Sequence, residues 1–378
     1  MGQYFDVIAP RLRQRVDWGG KLGEILFGGT AAPLVYLFAR PIIPPTFTEH
    51  CCTPEQKGHG AMTPSATIAT TPKKRAHNAD RPAGGEGKGT DEKTPTQSAK
   101  RSRSSPHLLT LPAEVHLCVL KLLDVADLCN LGLTCCYFWS NVKPEIGKFF
   151  AGALGVWAGI PVVCIGDESS TGEGAYPQGL LDEDDKDELK EGLTGGEWED
   201  REDEEWEEDI FSGPATLFRL AENRYRVLRM IENGWFAGHG IRRLWLDHCY
   251  RSPCPSDLRD IAEPRPKSFY PSNRVWILRN LTTREFVISN SIALKPEYIS
   301  GPFIDGIGFG EFISMENKHD IHKGKWAGHQ LDIVPLDTLN NEDGSWKKID
   351  VEVAKEIAEI WEANLGENWR ERIIKQEG

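Results

Sequence analysis

The residues able to do chemistry are few and poorly assembled. His239, His248, Cys249 and Cys254 lie close in sequence and are of the types that bind zinc. A zinc site needs four well-spaced imidazole or thiolate ligands. Here Pro253 and Pro255 flank the last thiol and no Cys-x-x-Cys pair is present, so these residues read as ordinary histidines and thiols. His319 and His322 follow helical spacing but lack the glutamate of a His-Glu-x-x-His metalloprotease motif. There is no phosphate-cradling glycine loop and no nucleophile elbow. The carboxylates cluster in polar sequence, where nothing would tune them for acid-base work. The expectation is a chain that is not an enzyme, with no catalytic residue, metal or cofactor.

Composition bounds the rest. The chain has 378 residues, enough for two domains, yet only 39% are hydrophobic, which points to polar segments unable to form a core. The net charge of −13 comes almost wholly from Asp182 to Asp209, where 17 acidic residues meet 3 basic ones. Nine cysteines, an odd number and several on apolar helical faces, imply reduced, buried thiols in an intracellular protein, cytoplasmic or nuclear. No signal peptide is evident, and the most apolar early run, Ile25 to Ala39, is too short and too broken by glycine and proline to span a bilayer. Asp6 stands where a myristoylation motif wants Ser or Thr. No membrane is expected as a partner, and nucleic acid is not expected either.

The densest apolar stretch between two polar tracts is Leu108 to Phe150, and its pattern predicts three short helices. Thr110 caps a first that opens with Leu111, Pro112 and Glu114 and runs to about Leu123. Val115, Cys118, Val119 and Leu122 share one face, while Leu117 and Leu120 lie on another. Asp124 or Asp127 opens a second through Leu128 and Leu131. A third begins near Thr134, carries Tyr137, Phe138 and Trp139, and is expected to be interrupted at Pro144. A helix with two apolar faces needs a second surface beyond its own neighbours.

Leu111-Pro112-x-Glu114, then Leu122-Leu123-Asp124-x-x-Asp127-Leu128 and a late Trp139, resembles the F-box. The opening Met-Gly-Gln-Tyr, Lys21-Leu22-Gly23-Glu24 and the segment Arg274 to Ser289 resemble a group of F-box proteins of filamentous fungi. The resemblance implies a three-helix module docking a Skp-type adaptor, and through it a cullin, with this chain as a noncatalytic substrate-recognition subunit of a ubiquitin ligase. It implies adaptor contacts from Leu111, Pro112, Val115, Val119, Leu122, Leu123, Leu128 and Leu131. An unknown protein would be the substrate. The alternative is a scaffold that binds the adaptor outside the ligase, or a protein that uses its acidic tract to hold basic partners.

The expected fold class is α+β: an F-box at 107–150 and a mixed α/β, β-rich recognition domain at 151–378 with an acidic insertion at 182–209. Residues 1–43 carry a strand at Tyr4 to Ile8 and a helix at Leu34 to Ala39 and should pack on a folded domain; 44–106, rich in Pro, Thr, Ser, Gly and Lys, read as a disordered linker. Charge repulsion predicts an extended, solvated acidic tract. Leu217 to Glu232 is amphipathic; Val162 to Ile165, Ile241 to Leu246 and Val275 to Leu278 read as strands. Arg274 to Ser289 reads as a hairpin around residues 280–283, Gly301 to Gly310 as loops, and Asp350 to Asn364 as a helix stopped by Gly366. An aromatic-Ala-Gly core recurs at Gly155 to Gly159, Gly234 to His239 and Gly324 to His329, each leading into a strand candidate, as equivalent turns in one β-rich body would.

Overall fold

The computed structural model describes residues 4–21, 31, 33–49, 108–167, 176–191, 216–228, 257–315, 326–342 and 344–377. The chain forms two compact units, one of residues 1–49 with 120–378 and one of 50–119. The fold is α+β. The unit boundary does not follow the expected module at 107–150: it falls at its first helix, and the remaining module residues belong to the larger unit.

In the larger unit, β1 (Tyr4–Ala9) and β2 (Gln14–Lys21) form an antiparallel hairpin, followed by α1 (Leu34–Phe38). The expected N-terminal strand and helix are therefore present, and α1 is buried throughout. The smaller unit contributes a 3-10 turn (Leu108–Thr110) and α2 (Ala113–Leu120), whose last residue lies across the unit boundary. This helix is shorter than expected. Leu108 to Thr110 close their own turn, and Pro112 supplies the carbonyl that accepts from the Val115 amide at 3.0 Å, so the helix begins at Ala113.

In the larger unit follow α3 (Val125–Gly132), α4 (Cys136–Gly152), β3 (Val163–Gly166), α5 (Glu183–Glu191), α6 (Leu217–Arg224) and β4 (Arg226–Val227). Then come α7 (Leu258–Ala262), β5 (Trp276–Asn280), β6 (Glu285–Ile288), α8 (Ser289–Ile292), β7 (Ile299–Ser300), β8 (Phe303–Ile304) and α9 (Phe309–Met315). The chain closes with β9 (Leu331–Pro335), β10 (Lys347–Lys348), α10 (Asp350–Leu365) and α11 (Trp369–Glu377).

The two four-stranded sheets are copies of one plan. Their orders are β3-β1-β2-β4 and β9-β5-β6-β10; in each the first two pairings are antiparallel and the last is parallel. The registers coincide. Phe5 faces Gly166 as Trp276 faces Pro335, Val7 faces Val16 as Leu278 faces Val287, and Gln14 faces Arg226 as Glu285 faces Lys347. Each hairpin loop ends on an arginine in left-handed backbone, Arg13 at φ 48° and Arg284 at φ 58°, the only non-glycine residues with positive φ among those described. Such a coincidence of register and strain makes the chain a two-repeat body.

Two of the three aromatic-Ala-Gly turns join the repeats; the third lies outside the described residues. Gly159, at φ 84°, donates its amide to the Leu331 carbonyl at 2.8 Å, and Gly328, at φ 74°, donates to the Val162 carbonyl at 2.8 Å. Pro161 and Gln330 pair antiparallel between them. Each partner of one bond is the counterpart of a partner of the other, so the two turns meet as a local two-fold. Left-handed backbone is where glycine has no steric penalty. Each turn's tryptophan is buried edge-on to a phenylalanine of the equivalent helix of its own repeat, Trp157 on Phe38 of α1 at 6.0 Å and Trp326 on Phe312 of α9 at 5.2 Å between ring centres.

The repeats differ in what is inserted. The second passes from α9 to Trp326 through residues 316–325; the first passes from α1 to Trp157 through 39–156, which contain the polar segment and α2, α3 and α4. Between the equivalent strands β9 and β10 lie residues 336–346, whereas 167–225 lie between β3 and β4 and contain the acidic segment. The start of that segment is helical and not extended. Asp182 accepts from the Asp185 amide at 2.8 Å, and carboxylates in the first turn of α5 suit the helix N-terminus. Asp185 is buried, within 3.3 Å of Arg13 and accepting from the Tyr225 hydroxyl at 3.0 Å. Burial raises its carboxyl above the usual range, which the Tyr225 hydrogen bond opposes.

Other expectations shift for tertiary reasons. α6 stops at Arg224 and does not run to Glu232, because the chain leaves to pair with β2 through β4. Among the residues expected as glycine-rich loops, Gly301 turns a small hairpin of β7 and β8, whose Phe303 ring lies 4.7 Å from that of Tyr36, and α9 begins at Phe309. The hairpin around 280–283 forms, with its loop one residue later than expected, and α10 ends at Gly366. The candidate strand Ile241 to Leu246 lies outside the described residues, as does most of 44–106.

A buried ionic centre ties the N-terminal piece to the second sheet. Asp332, fully buried, accepts from Arg279 at 2.8 and 2.9 Å and from Arg40 at 2.7 Å. Removing one side of a buried pair strands the other charge. Asp332→Ala is expected to cost about 3–5 kcal/mol, read as a lower urea midpoint. Arg274→Ala, which breaks an exposed pair with Asp337 at 3.3 Å, should cost less than about 1 kcal/mol.

Candidate functional site

The inserted helices carry the surface that best fits docking. Asp124 caps α3 by accepting from the Asp127 amide at 2.8 Å, so of the two aspartates expected to open this helix it is Asp124 that does so. Val125, Leu128 and Cys129 are buried on the side of α3 that meets α4. Gly132 explains itself here: a Cβ at that position would lie 2.6 Å from Val142 Cγ2 and 2.8 Å from Trp139 Cε3, so only glycine lets the two helices approach this closely.

α4 is one continuous helix from Cys136 to Gly152 with Pro144 inside it, contrary to the expected break. Proline in a helix interior costs about 3 kcal/mol through a lost hydrogen bond and a ring clash. Against that stand Trp139, Val142, Ile146 and Phe150, all buried in the main core, and each fully buried large apolar side chain contributes roughly 1.5–3 kcal/mol. Packing on both sides of the proline therefore outweighs it. Gly147 presses against Phe47 and Ile43, and Asp257 at the start of α7 accepts from Trp139 Nε1 at 2.9 Å and Lys143 Nζ at 2.8 Å.

Between the start of α3 and the end of α4 runs a groove of about 560 Å³, with Leu120, Leu123, Val125, Ala126, Leu128 and Phe149 as apolar lining and Lys121, Asp124, Glu145 and Lys148 as its charged lining. Leu122 stands 85% exposed at the turn leading into α3. An exposed leucine beside an apolar groove with a mixed-charge rim can bind an apolar ridge on another protein.

The eight residues expected to present apolar area divide. Leu122, Pro112 and Val115 are exposed; Leu111, Val119, Leu123 and Leu131 are half-buried. Leu128 is buried in the core on the stripe of α3 that packs inward, and it also lines the floor of the groove. The pattern missed Phe149 and Tyr137, both exposed. The doublet Phe149-Phe150 carried a signal, since adjacent helical residues point about 100° apart and only one can enter a core.

The possible chemical groups give less. His239, His248, Cys249, Cys254, His319 and His322 lie outside the described residues. Among the described residues no group of three or more His, Cys, Asp or Glu could hold a metal, and no helix is long and apolar enough to cross a membrane. His329 has its pKa lowered by burial, which the nearby Glu285 carboxylate opposes, and its Nδ1 lies 2.8 Å from Asn280 Nδ2, which holds the ring in the turn. The thiols are not uniformly buried as expected: Cys118 and Cys136 are exposed, because they sit on the outward faces of α2 and α4, while Cys129 and Cys164 are buried. Burial pushes the Cys129 thiol up to about 12, and burial with the nearby Asp6 carboxylate raises the Cys164 thiol as well.

No protein-family model matches this sequence, and no curated protein or solved structure matches it either.

Two outcomes follow from this packing. Gly132→Ala should destabilise the chain by about 1–3 kcal/mol, the range for overpacking a filled site, seen as a lower denaturation midpoint. In a timed thiol-alkylation experiment followed by peptide mapping, Cys118 and Cys136 should react in the native state, while Cys129 and Cys164 should react only on unfolding.

Proposed function

We propose that this chain is a noncatalytic substrate receptor of a Skp-cullin-F-box ubiquitin ligase. The observation that carries the reading is the exposed Leu122 beside the groove of α3 and α4, in a helical segment inserted into one of two otherwise matching repeats. The F-box resemblance of Leu111-Pro112-x-Glu114 and Leu122-Leu123-Asp124-x-x-Asp127-Leu128 falls on the same segment. An insertion absent from the sister repeat is dispensable to the repeat's own plan, which leaves its exposed apolar side chains for another protein. In this reading a Skp-type adaptor covers Leu122 and the groove, a cullin joins through the adaptor, and the two-repeat body holds a target protein. The receptor then acts by raising the local concentration of target near the ubiquitin-carrying subunits.

A second reading, a scaffold that holds basic partners on its acidic segment, draws on α5, where Asp185 anchors a helix whose Glu183 and Asp187 face solvent. Deleting 192–209 separates the two. Target capture that survives the deletion belongs to the two-repeat body, and capture that is lost belongs to the acidic segment.

Burying a leucine is worth roughly 1.5–3 kcal/mol, and each 1.4 kcal/mol is tenfold in affinity. Leu122→Asp should therefore weaken binding to a purified Skp-type adaptor at least tenfold by calorimetry, with an unchanged melting temperature because Leu122 packs on little. Leu111→Ala/Pro112→Ala should weaken it as well. Wild-type protein that binds no adaptor sinks the reading.

A further inference from the structure

We infer that Asp257 is a positioning residue, which fixes the rotation of α4 against the two-repeat body and so sets the direction in which a partner docked on the groove meets that body. The inference rests on the receptor reading above. Asp257 receives two donors from one face of α4: Trp139 Nε1 at 2.9 Å on one carboxylate oxygen and Lys143 Nζ at 2.8 Å on the other. The donors stand one helical turn apart, so a single carboxylate constrains both the rotation and the translation of the helix. Lys143 is enclosed, with its side chain 3% exposed, and its charge is compensated by Asp257.

The groove residues Glu145, Lys148 and Phe149 follow on the same helix, so any rotation at Trp139 and Lys143 turns them too. Asp257 itself does not line the groove. It stands at the start of α7, which packs on α4 and carries buried Leu258 and Ile261 in the main core. Docking and orientation are thus carried by different residues and can be separated by substitution. Where proximity does the catalytic work, orientation decides which lysines come within reach.

The test uses the full chain assembled with a Skp-type adaptor, a cullin-RING pair and a ubiquitin-charged conjugating enzyme, with acceptor lysines on this chain mapped by mass spectrometry. Asp257→Asn should bind the adaptor within twofold of wild type yet redistribute ubiquitin among the acceptor lysines by at least threefold at the major sites. Asp257→Glu, which keeps the carboxylate, should restore at least half of the wild-type distribution. Because Asp257→Asn strands a buried ammonium and can unfold the chain, Lys143→Met/Asp257→Asn serves as the second variant. It removes the stranded charge without restoring the clamp and should redistribute ubiquitin in the same way. An unchanged lysine map in the double variant with adaptor binding retained overturns the inference. So does a more than tenfold loss of adaptor affinity, which would place Asp257 in docking itself. Wild-type protein that binds no adaptor fails the receptor reading first, and the positioning role falls with it.

Discussion

The fold depends on one reciprocal contact. Buried backbone amides must find acceptors, and a turn between two sheets has no strand ladder to supply them. Here each turn supplies the other: Gly159 gives its amide to Leu331 while Gly328 gives its amide to Val162, with Pro161 and Gln330 paired between. The strands β3 and β9 start just beyond these bonds, and each is the edge from which its sheet is built. Break the reciprocity and both sheets lose their common origin. The tryptophans of the two turns close the arrangement, each sealing its turn against a helix of its own repeat.

Two-repeat symmetry also marks where the chain could be enlarged without harm. Both large insertions lie in the first repeat, one between α1 and the Trp157 turn and one between β3 and β4, and neither interrupts the reciprocal bonds. The helical insertion did not stay a loose appendage. Glycines at 132 and 147 permit contacts that any side chain would forbid, aromatic and branched residues of α4 enter the common core, and a buried ammonium finds its carboxylate on α7. The result is a surface of α3 and α4 packed into the common core. A rigid surface loses less entropy when a partner binds it.

Charge is handled by location and not by composition. The net charge of −13 says little about the folded core, where Asp332 and Asp185 are each matched by arginine. Asp185 shows how a repulsive segment acquires order: capping by Asp182, i,i+3 lysines at 186 and 190 and an arginine from the first hairpin compensate its neighbours in turn. Arg13 reaches it from the left-handed end of the β1-β2 loop. The equivalent Arg284 ends the second loop with the same backbone, although no acidic helix lies beside it among the described residues.

Local sequence determined those features that depend on near neighbours. The β5-β6 hairpin, the α10 stripe of Val353, Ile357 and Trp361 ending at Gly366, an aspartate cap at 124 or 127 and the aromatic-Ala-Gly turns at 155–159 and 324–329 were legible, because period, capping and turn chemistry act within a few residues. The candidate surface was legible in part: Leu122 and Leu128 were both picked out by the pattern, which could not show that Leu122 stands exposed in the turn between α2 and α3 while the packing of α3 on α4 turns Leu128 inward. Tertiary structure alone decided that Pro144 stays inside a helix, that Gly132 is required there, that the acidic segment begins as a helix, and that two dissimilar sequences form one repeated sheet. In each case the deciding partner is distant in sequence or across a helix pair, and a local pattern carries no record of the surface it will meet.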